Sequence, residues 1–567
     1  MKTIRQSLCT AAWSVLLFSL PLLAVLPARA QETTPEQTAE ELIKPWDNEH
    51  DPGGVVLVMR GGEIIYQKAF GMANLSHGIP FEAGTRTNIG STSKQFTAFA
   101  IVLLEQRGLL SLDDDIRLHI PELPELAHTV TLRHLVSHTS GYREFLNAFA
   151  MAGRQPTDDI RREEIIALVQ RQPALQYTPG ELFLYNNTGF SLLATVVERV
   201  GGRPFHEWMD QEVFRPLGME QTLVRANRYD VIKNSAQGYA PTEEESFREA
   251  PDLASVIGAG GMYTTVGDLA LWVNNFFEPR LGGKEAIDKM TTPYVLNGGQ
   301  GTGYGLGLFL DDLHGLTRWH HGGSDMAHRS QLFIFPDIRG AVITQSNHAG
   351  FDGSIAQKLA EAFFADGMES SDGEEQETAS GEFVFDPELF DDYAGRYELD
   401  AAPGFVLEFT REGDKLYTQA SMQPRFEVFP SSDSTFYMTV VEAGMTFHRN
   451  ELGVVDRMTL HQNGAHGATR VFEPVWSPSP EEVDEYLGRY FSEELEAFYE
   501  ISSHEDGGIL LVHRRMEPIP LKPDEKDQFA GEFPISGINF VRDEQGRVSG
   551  FRATSGRSFG ILFEKTR

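Results

Sequence analysis

Ser91 and Lys94 stand three residues apart in Gly90-Ser91-Thr92-Ser93-Lys94-Gln95-Phe96. A hydroxyl and an amine at that spacing share one helix face and form a candidate nucleophile–base pair. Serine is a poor nucleophile until a base takes its proton. A lysine amine becomes that base when burial or a neighbouring cation pulls its pKa down. Two further motifs add groups of the right kind. In Tyr185-x-Asn187, a phenol can shuttle the serine proton and protonate the leaving group, if a Lys94 ammonium nearby lowers its pKa. The Asn187 amide can hydrogen-bond both Lys94 and a substrate amide. In His321-Gly322-Gly323-Ser324, the glycines let a substrate backbone lie close against a strand edge. Each motif alone is weak, because a serine N-cap, a turn and a β-bulge produce the same letters.

The elements that must position these groups are legible in the pattern. Ala98–Leu104 is apolar without a break, so the helix opening near Ser91 is surrounded by protein, and Gly108 stops it. Residues 55–59 and 63–68 read as strands joined at Gly61-Gly62, a tight hairpin. Tyr185-x-Asn187 precedes a helix over 191–200 that ends at Gly201-Gly202. Thr265–Asp268 reads as a capping box opening a helix to Phe277. Residues 304–310, 317–321, 330–335 and 341–345 are strand-like, and 355–364 reads as a closing helix.

The chain of 567 residues is too long for one core. Residues 1–30 carry Lys2 and Arg5, then the apolar stretch 11–26, then Ala28-Arg29-Ala30, the pattern of a cleaved secretory signal. The expectation is a periplasmic or secreted protein with no membrane span after cleavage. The single cysteine, Cys9, lies in that signal, so thiol catalysis and disulfides are excluded from the mature chain. The formal charge is −34, and losing Lys2, Arg5 and Arg29 makes it −37. Such a surface repels phosphate backbones, so no nucleic-acid partner is expected. Residues 366–385 read as an acidic linker.

Beyond the linker the chain repeats itself. Tyr393-Ala394-Gly395-Arg396-Tyr397 returns as Tyr486-Leu487-Gly488-Arg489-Tyr490, and Phe447, Arg449, Gly453 and Val455 return as Phe540, Arg542, Gly546 and Val548. The constant offset of 93 residues marks a duplication, read as two small antiparallel β-barrels over 386–475 and 476–567. They hold no obvious chemistry, and packing and shielding is their expected role.

Ser-x-x-Lys, Tyr-x-Asn and His-x-Gly, in this order, resemble the serine β-lactamase-like, penicillin-recognising hydrolases. The branch is that of class C β-lactamases, D-alanyl-D-alanine carboxypeptidases, D-aminopeptidases and esterases. Leu132–Gly141, Gly258–Tyr263 and Tyr304–Gly307 support the resemblance, which covers roughly residues 40–365. It implies an α/β β-lactamase-like domain over 31–365, an antiparallel sheet flanked by helices plus a helical subdomain, ahead of the two barrels. The barrels resemble the lipocalin-like domains of the D-aminopeptidase branch, which also implies that a barrel loop reaches the cleft. The resemblance makes Ser91 the acylated nucleophile, Lys94 its base, Tyr185 the second proton carrier and Asn187 a polar positioner. His321 and Gly323 border the substrate strand, and the N–H groups of Ser91 and Ser324 form the oxyanion hole. No cofactor or metal is implied.

One departure bears on substrate. True β-lactamases carry Lys-Thr-Gly where this chain has His321-Gly322-Gly323, and a histidine neutral near pH 7 with a glycine is a poor carboxylate clamp. The expectation is therefore a peptidase or esterase acting on a small peptide, ester or peptidoglycan-derived substrate. The alternatives are a β-lactamase proper, or a non-catalytic member that binds peptidoglycan or a protein. Two decoys are set aside. Gly556-Arg557-Ser558-Phe559-Gly560 spells a nucleophile elbow but has no room after it for an acid and a histidine. His314, His320, His321 and His328 lack the spacing of a helical metal site.

Overall fold

The computed structural model describes residues 33–155, 158–242, 246–252, 257–369, 385–400, 405–420, 425–438, 443–450, 452–462, 465–472, 476–504 and 508–566. The expected signal segment, with Cys9, and most of the acidic linker lie outside the described residues.

An antiparallel sheet organises the first part of the chain. Its strands are β1 (Gly54–Arg60), β2 (Glu63–Phe70), β3 (Phe309–Leu313), β4 (Leu316–Ser324), β5 (Arg329–Phe335) and β6 (Gly340–Ser346), in the order β3-β4-β5-β6-β1-β2. Strand β1 reads as an unbroken apolar run because both its faces are covered. Val55, Leu57 and Met59 enter one core, and Val56 and Val58 enter another. The second core is closed by the helices α1 (Pro35–Ile43) and α6 (Ile355–Phe364), through residues such as Ile43, Leu359 and Phe364. The first holds α2 (Lys94–Gln106), α4 (Asn187–Gly201) and α5 (Val266–Phe277). In α2 every residue from Lys94 to Leu104 is buried, as its all-round apolar pattern demands. Gly108 takes φ +68 just past its end.

The helix read over 191–200 starts earlier, at Asn187, and two other local readings differ from the structure. Thr265 caps α5 by accepting from the Asp268 N–H, but the Asp268 carboxylate does not reach back. It accepts from Thr222 Oγ1 and the Gln221 N–H instead, so a tertiary partner wins over the local box. The segment 304–310 is mostly loop, and the strand starts at Phe309.

The C-terminal half forms two closed eight-stranded antiparallel barrels, from Gly395 to Val471 and from Gly488 to Lys565. The duplication is visible in detail. Tyr397 donates its hydroxyl to the Tyr393 carbonyl at 3.0 Å, and Tyr490 does the same to Tyr486 at 2.6 Å. Gly395 and Gly488 both take positive φ, +148 and +136.

The two barrels pack differently. The core of the first stands by itself. That of the second is continuous with Phe145, Phe149 and Met151 of helix α3 (Phe145–Met151), and with Ile165 and Leu168. The last two strands of the second barrel, β7 (Val548–Ser555) and β8 (Ser558–Lys565), pack against α3. Among the described residues, no helix is long and apolar enough to cross a membrane.

Candidate active site

Ser91 does not sit on α2 itself but on the tight 3₁₀ turn Gly90–Ser93 that leads into it. Gly90 takes φ +48, and a Cβ there would come within 2.7 Å of the Ser324 nitrogen, so the end of β4 lies directly against the turn. Gly323 has the same cause, since a Cβ on it would overlap the Ile89 carbonyl oxygen and Ser330 Oγ. Hydrogen bonds lock the approach. Thr92 Oγ1 donates to the His321 carbonyl at 3.2 Å, and Ser330 Oγ donates to that of Ile89 at 2.9 Å. The two glycines thus bring the backbone of Ser324 beside that of Ser91.

Lys94 is fully buried, and its Nζ has three neighbours: Asn187 Oδ1 at 2.8 Å, the Ala259 carbonyl at 2.8 Å and Ser91 Oγ at 2.9 Å. Two of these oxygens can only accept. A neutral amine has two N–H groups and one lone pair, so with both N–H groups on the carbonyls the lone pair is left for the Ser91 hydroxyl. Burial pushes the Lys94 amine well below its ordinary value, the Glu144 carboxylate opposes that, and the Arg557 guanidinium adds to it.

Glu144 and His138 are the residues that sequence reasoning left without a role. Glu144 is completely buried; it accepts from the Asn187 N–H at 2.6 Å and from Asn187 Nδ2 at 3.1 Å. That second bond fixes the amide so that Oδ1 faces Lys94. Asn186 caps α4 by accepting from the Gly189 N–H, which sets Tyr185 and Asn187 on either side of the helix start. His138, at φ +60, accepts the Asn186 N–H on Nδ1 at 2.9 Å, so its Nε2 carries the proton and meets Tyr304 Oη at 3.2 Å. Its ring lies 4.2 Å from that of Tyr185.

The Tyr185 phenol corrects one expectation. Burial raises its pKa above the ordinary tyrosine value, while a hydrogen bond with Ser91 and the charge of Arg557 act the other way and do not prevail. The resting group is a phenol and a proton donor, not a phenolate. Lys94 Nζ lies 4.8 Å from the ring centroid.

His321 is fully buried, and burial pushes it down to about 3. Its Nδ1 lies 2.6 Å from the Gly322 carbonyl, which can only accept, so Nδ1 carries the proton and Nε2 is a bare acceptor without a partner among the described residues. The third motif therefore offers no positive charge.

The rejected elbow has another use. Gly556-Arg557-Ser558-Phe559-Gly560 is the hairpin between β7 and β8, and it docks on the first domain. Ser558 Oγ donates to the Glu144 carbonyl at 2.9 Å, and the Phe559 N–H donates to Gln176 Oε1 at 2.7 Å. Arg557 Nη1 donates to the Tyr185 carbonyl at 3.1 Å, with its guanidinium 5.3 Å from the Tyr185 ring centroid. The hairpin of the second barrel thus lies against Tyr185 and Glu144. Elsewhere Asp252, Asp325 and His328 lie close enough together for a metal, but Arg225 Nη1 already holds Asp252 at 2.6 Å. Burial opposes charge on His328, yet the Asp252 carboxylate beside it raises its pKa.

Residues 385–474 match the domain of unknown function DUF3471. The penicillin-binding protein 4* of Bacillus subtilis is 26% identical over 442 residues, which are 75% of this chain and 96% of that protein. The D-aminopeptidase of Brucella anthropi is 26% identical over 534 residues, 92% of this chain and 96% of that protein. The octameric penicillin-binding protein homologue from Pyrococcus abyssi superposes with a TM-score of 0.54 at 24% identity, over 77% of this chain and 99% of its own. Residues 38–365, which hold every candidate residue from Ser91 to Ser324, match the Beta-lactamase family model, and the chain belongs to that family.

Proposed function

We propose that this protein is an exported serine hydrolase that cleaves an amide or ester bond through an acyl-enzyme on Ser91. The observation that carries the reading is the environment of Lys94: a fully buried Nζ 2.9 Å from Ser91 Oγ and 2.8 Å from each of two carbonyl oxygens, an arrangement that in the neutral amine leaves the lone pair for the Ser91 hydroxyl. In acylation the Ser91 proton passes to Lys94 as Oγ attacks the substrate carbonyl. The oxyanion is held by the N–H groups of Ser91 and Ser324, a pair whose single donors are each worth ~10²–10³ in rate. Tyr185 gives its proton to the leaving group and recovers one from Lys94. Water then repeats the sequence in reverse order and frees the acid. Asn187, held by Glu144, positions Lys94 and the substrate amide, and the edge at His321 and Gly323 receives the substrate backbone.

A neutral His321 favours peptidase or esterase action over β-lactam hydrolysis. The similarity to a D-aminopeptidase supports the peptidase side of this reading. The test is turnover of p-nitrophenyl butyrate, D-Ala-p-nitroanilide, a D-Ala-D-Ala peptide and nitrocefin, with Ser91→Ala as control. Ester or D-amino-acid turnover that disappears in Ser91→Ala is the expected result. Nitrocefin as the best substrate would make the protein a β-lactamase, and no turnover with no fluorophosphonate adduct would make it a binding protein.

The same reading sets the pH dependence. Lys94 must be unprotonated to act, so kcat/KM rises with pH through its depressed pKa and levels off above it. His321, pushed down to about 3, stays neutral across that range and does not supply the acid limb. A pH profile in which His321→Asn keeps the acid limb of the parent is the expected outcome. Stability moves the same way. Between the depressed value and that of an ordinary lysine, the unfolded chain binds a proton the folded chain does not, so this group's contribution rises with pH.

A further inference from the structure

The geometry points to Arg557, presented by the second barrel, as the residue that takes a carboxylate of the substrate. This rests on the acyl-transfer reading above and names a substrate class for it.

The hairpin does not need the Arg557 head group in order to dock. Its backbone and neighbours already hold it. The Arg557 N–H donates to Asn147 Oδ1 at 3.2 Å, its carbonyl accepts from Gln176 Nε2 at 3.2 Å, and Ser558 and Phe559 add the bonds described above. The guanidinium has five N–H groups. One bond goes to the Tyr185 carbonyl, and among the described residues Nε and Nη2 have no protein acceptor. The side chain is half-buried and lies over the Tyr185 ring, 5.3 Å from its centroid. It is close enough to the reacting groups for its charge to act on Lys94, Tyr185 and His138 alike.

The other candidates for a carboxylate clamp are unavailable to substrate. His321 is neutral and Lys94 is committed to catalysis. Arg329 spends Nη1 on the carbonyls of Asp325 and His328, and the Asp325 carboxylate already faces its charge. The chain carries a formal charge of −34, so an anionic substrate needs a local cation to approach. A guanidinium with a free fork matches a carboxylate in shape and charge.

The experiment compares matched substrates in the full chain. For a carboxylate on the acyl side, p-nitrophenyl hemiglutarate is set against p-nitrophenyl butyrate. For one on the leaving group, a D-Ala-D-Ala peptide is set against its C-terminal amide. The readout is the ratio of kcat/KM for the charged and neutral members. Arg557→Gln is expected to lower that ratio about 10- to 100-fold in one arm, mostly through KM, and that arm identifies the side. Arg557→Lys keeps part of the preference, and Arg557→Glu lowers the ratio further. A ratio that moves less than about threefold in both arms, in both Arg557→Gln and Arg557→Glu, overturns the proposal. Calorimetry on Ser91→Ala, with and without Arg557→Gln, reads the same preference as binding. If the parent chain turns over none of the four substrates, the acyl-transfer reading has failed, and the calorimetry still decides the role of Arg557. Equal affinity of Ser91→Ala for the charged and neutral peptides, and for p-nitrophenyl hemiglutarate and p-nitrophenyl butyrate, refutes it there.

Discussion

Lys94→Met is expected to lower kcat/KM by about 10²–10⁴-fold while the chain stays folded. Methionine has a similar reach and no basic atom. Without the amine, the Ser91 hydroxyl keeps its proton and is a poor nucleophile. The substitution leaves two buried carbonyl oxygens, Asn187 Oδ1 and that of Ala259, without their donor. An unsatisfied buried acceptor costs about 1–3 kcal/mol, and relief from burying an amine in the same place offsets part of this. The measurement is single-turnover labelling of Ser91 by a fluorophosphonate, beside a thermal melt. Slow labelling with a cooperative melt supports Lys94 as the base. Labelling within about tenfold of the parent rate would move the base to another residue, and Tyr185 is the next group in contact with Ser91.

Arg143→Ala should destabilise the union of the second barrel with the catalytic domain by about 3–5 kcal/mol. Arg143 Nε lies 2.8 Å from Glu494 Oε1, and the two side chains are only 7% and 5% exposed. The same guanidinium donates to Gln176 Oε1 at 3.1 Å and to the Phe559 carbonyl. Its loss strands a carboxylate in a low-dielectric interface and loosens the hairpin that carries Arg557. The expected result is a lower first transition in urea unfolding, with raised hydrogen exchange in β7, β8 and α3. Arg143→Met with Glu494→Leu removes both charges and is expected to recover most of the lost stability. An unchanged transition in Arg143→Ala would mean that the apolar core around Phe145, Phe149 and Met151 holds the interface by itself.

Much of the site was legible because its chemistry is written in residue types at short range. Ser91 and Lys94 are three positions apart, and the apolar run behind them announces the burial that the lysine needs. Tyr185 and Asn187 stand at a helix start marked by their neighbours, and the glycines after His321 mark a close backbone approach. The alternation and turn residues of the tail, repeated at one offset, were enough to expect two barrels.

Other features depend on distance in space. The sign of the Tyr185 shift could not be read from a string, because it is set by how completely the ring is buried and by which charges surround it. Glu144 follows a conspicuous motif but shows its role only through two bonds to Asn187. Arg557 stands 372 residues from Tyr185, in a pentapeptide whose letters suggested a different chemistry. By itself the sequence determined the candidate groups, most of the helices and strands that hold them, and the duplication of the tail, since these follow from side-chain chemistry and local periodicity. Only the tertiary structure decided which groups are charged and what reaches the cleft. Desolvation and Coulomb interaction depend on the packing of segments far apart in the chain, and no local pattern encodes them.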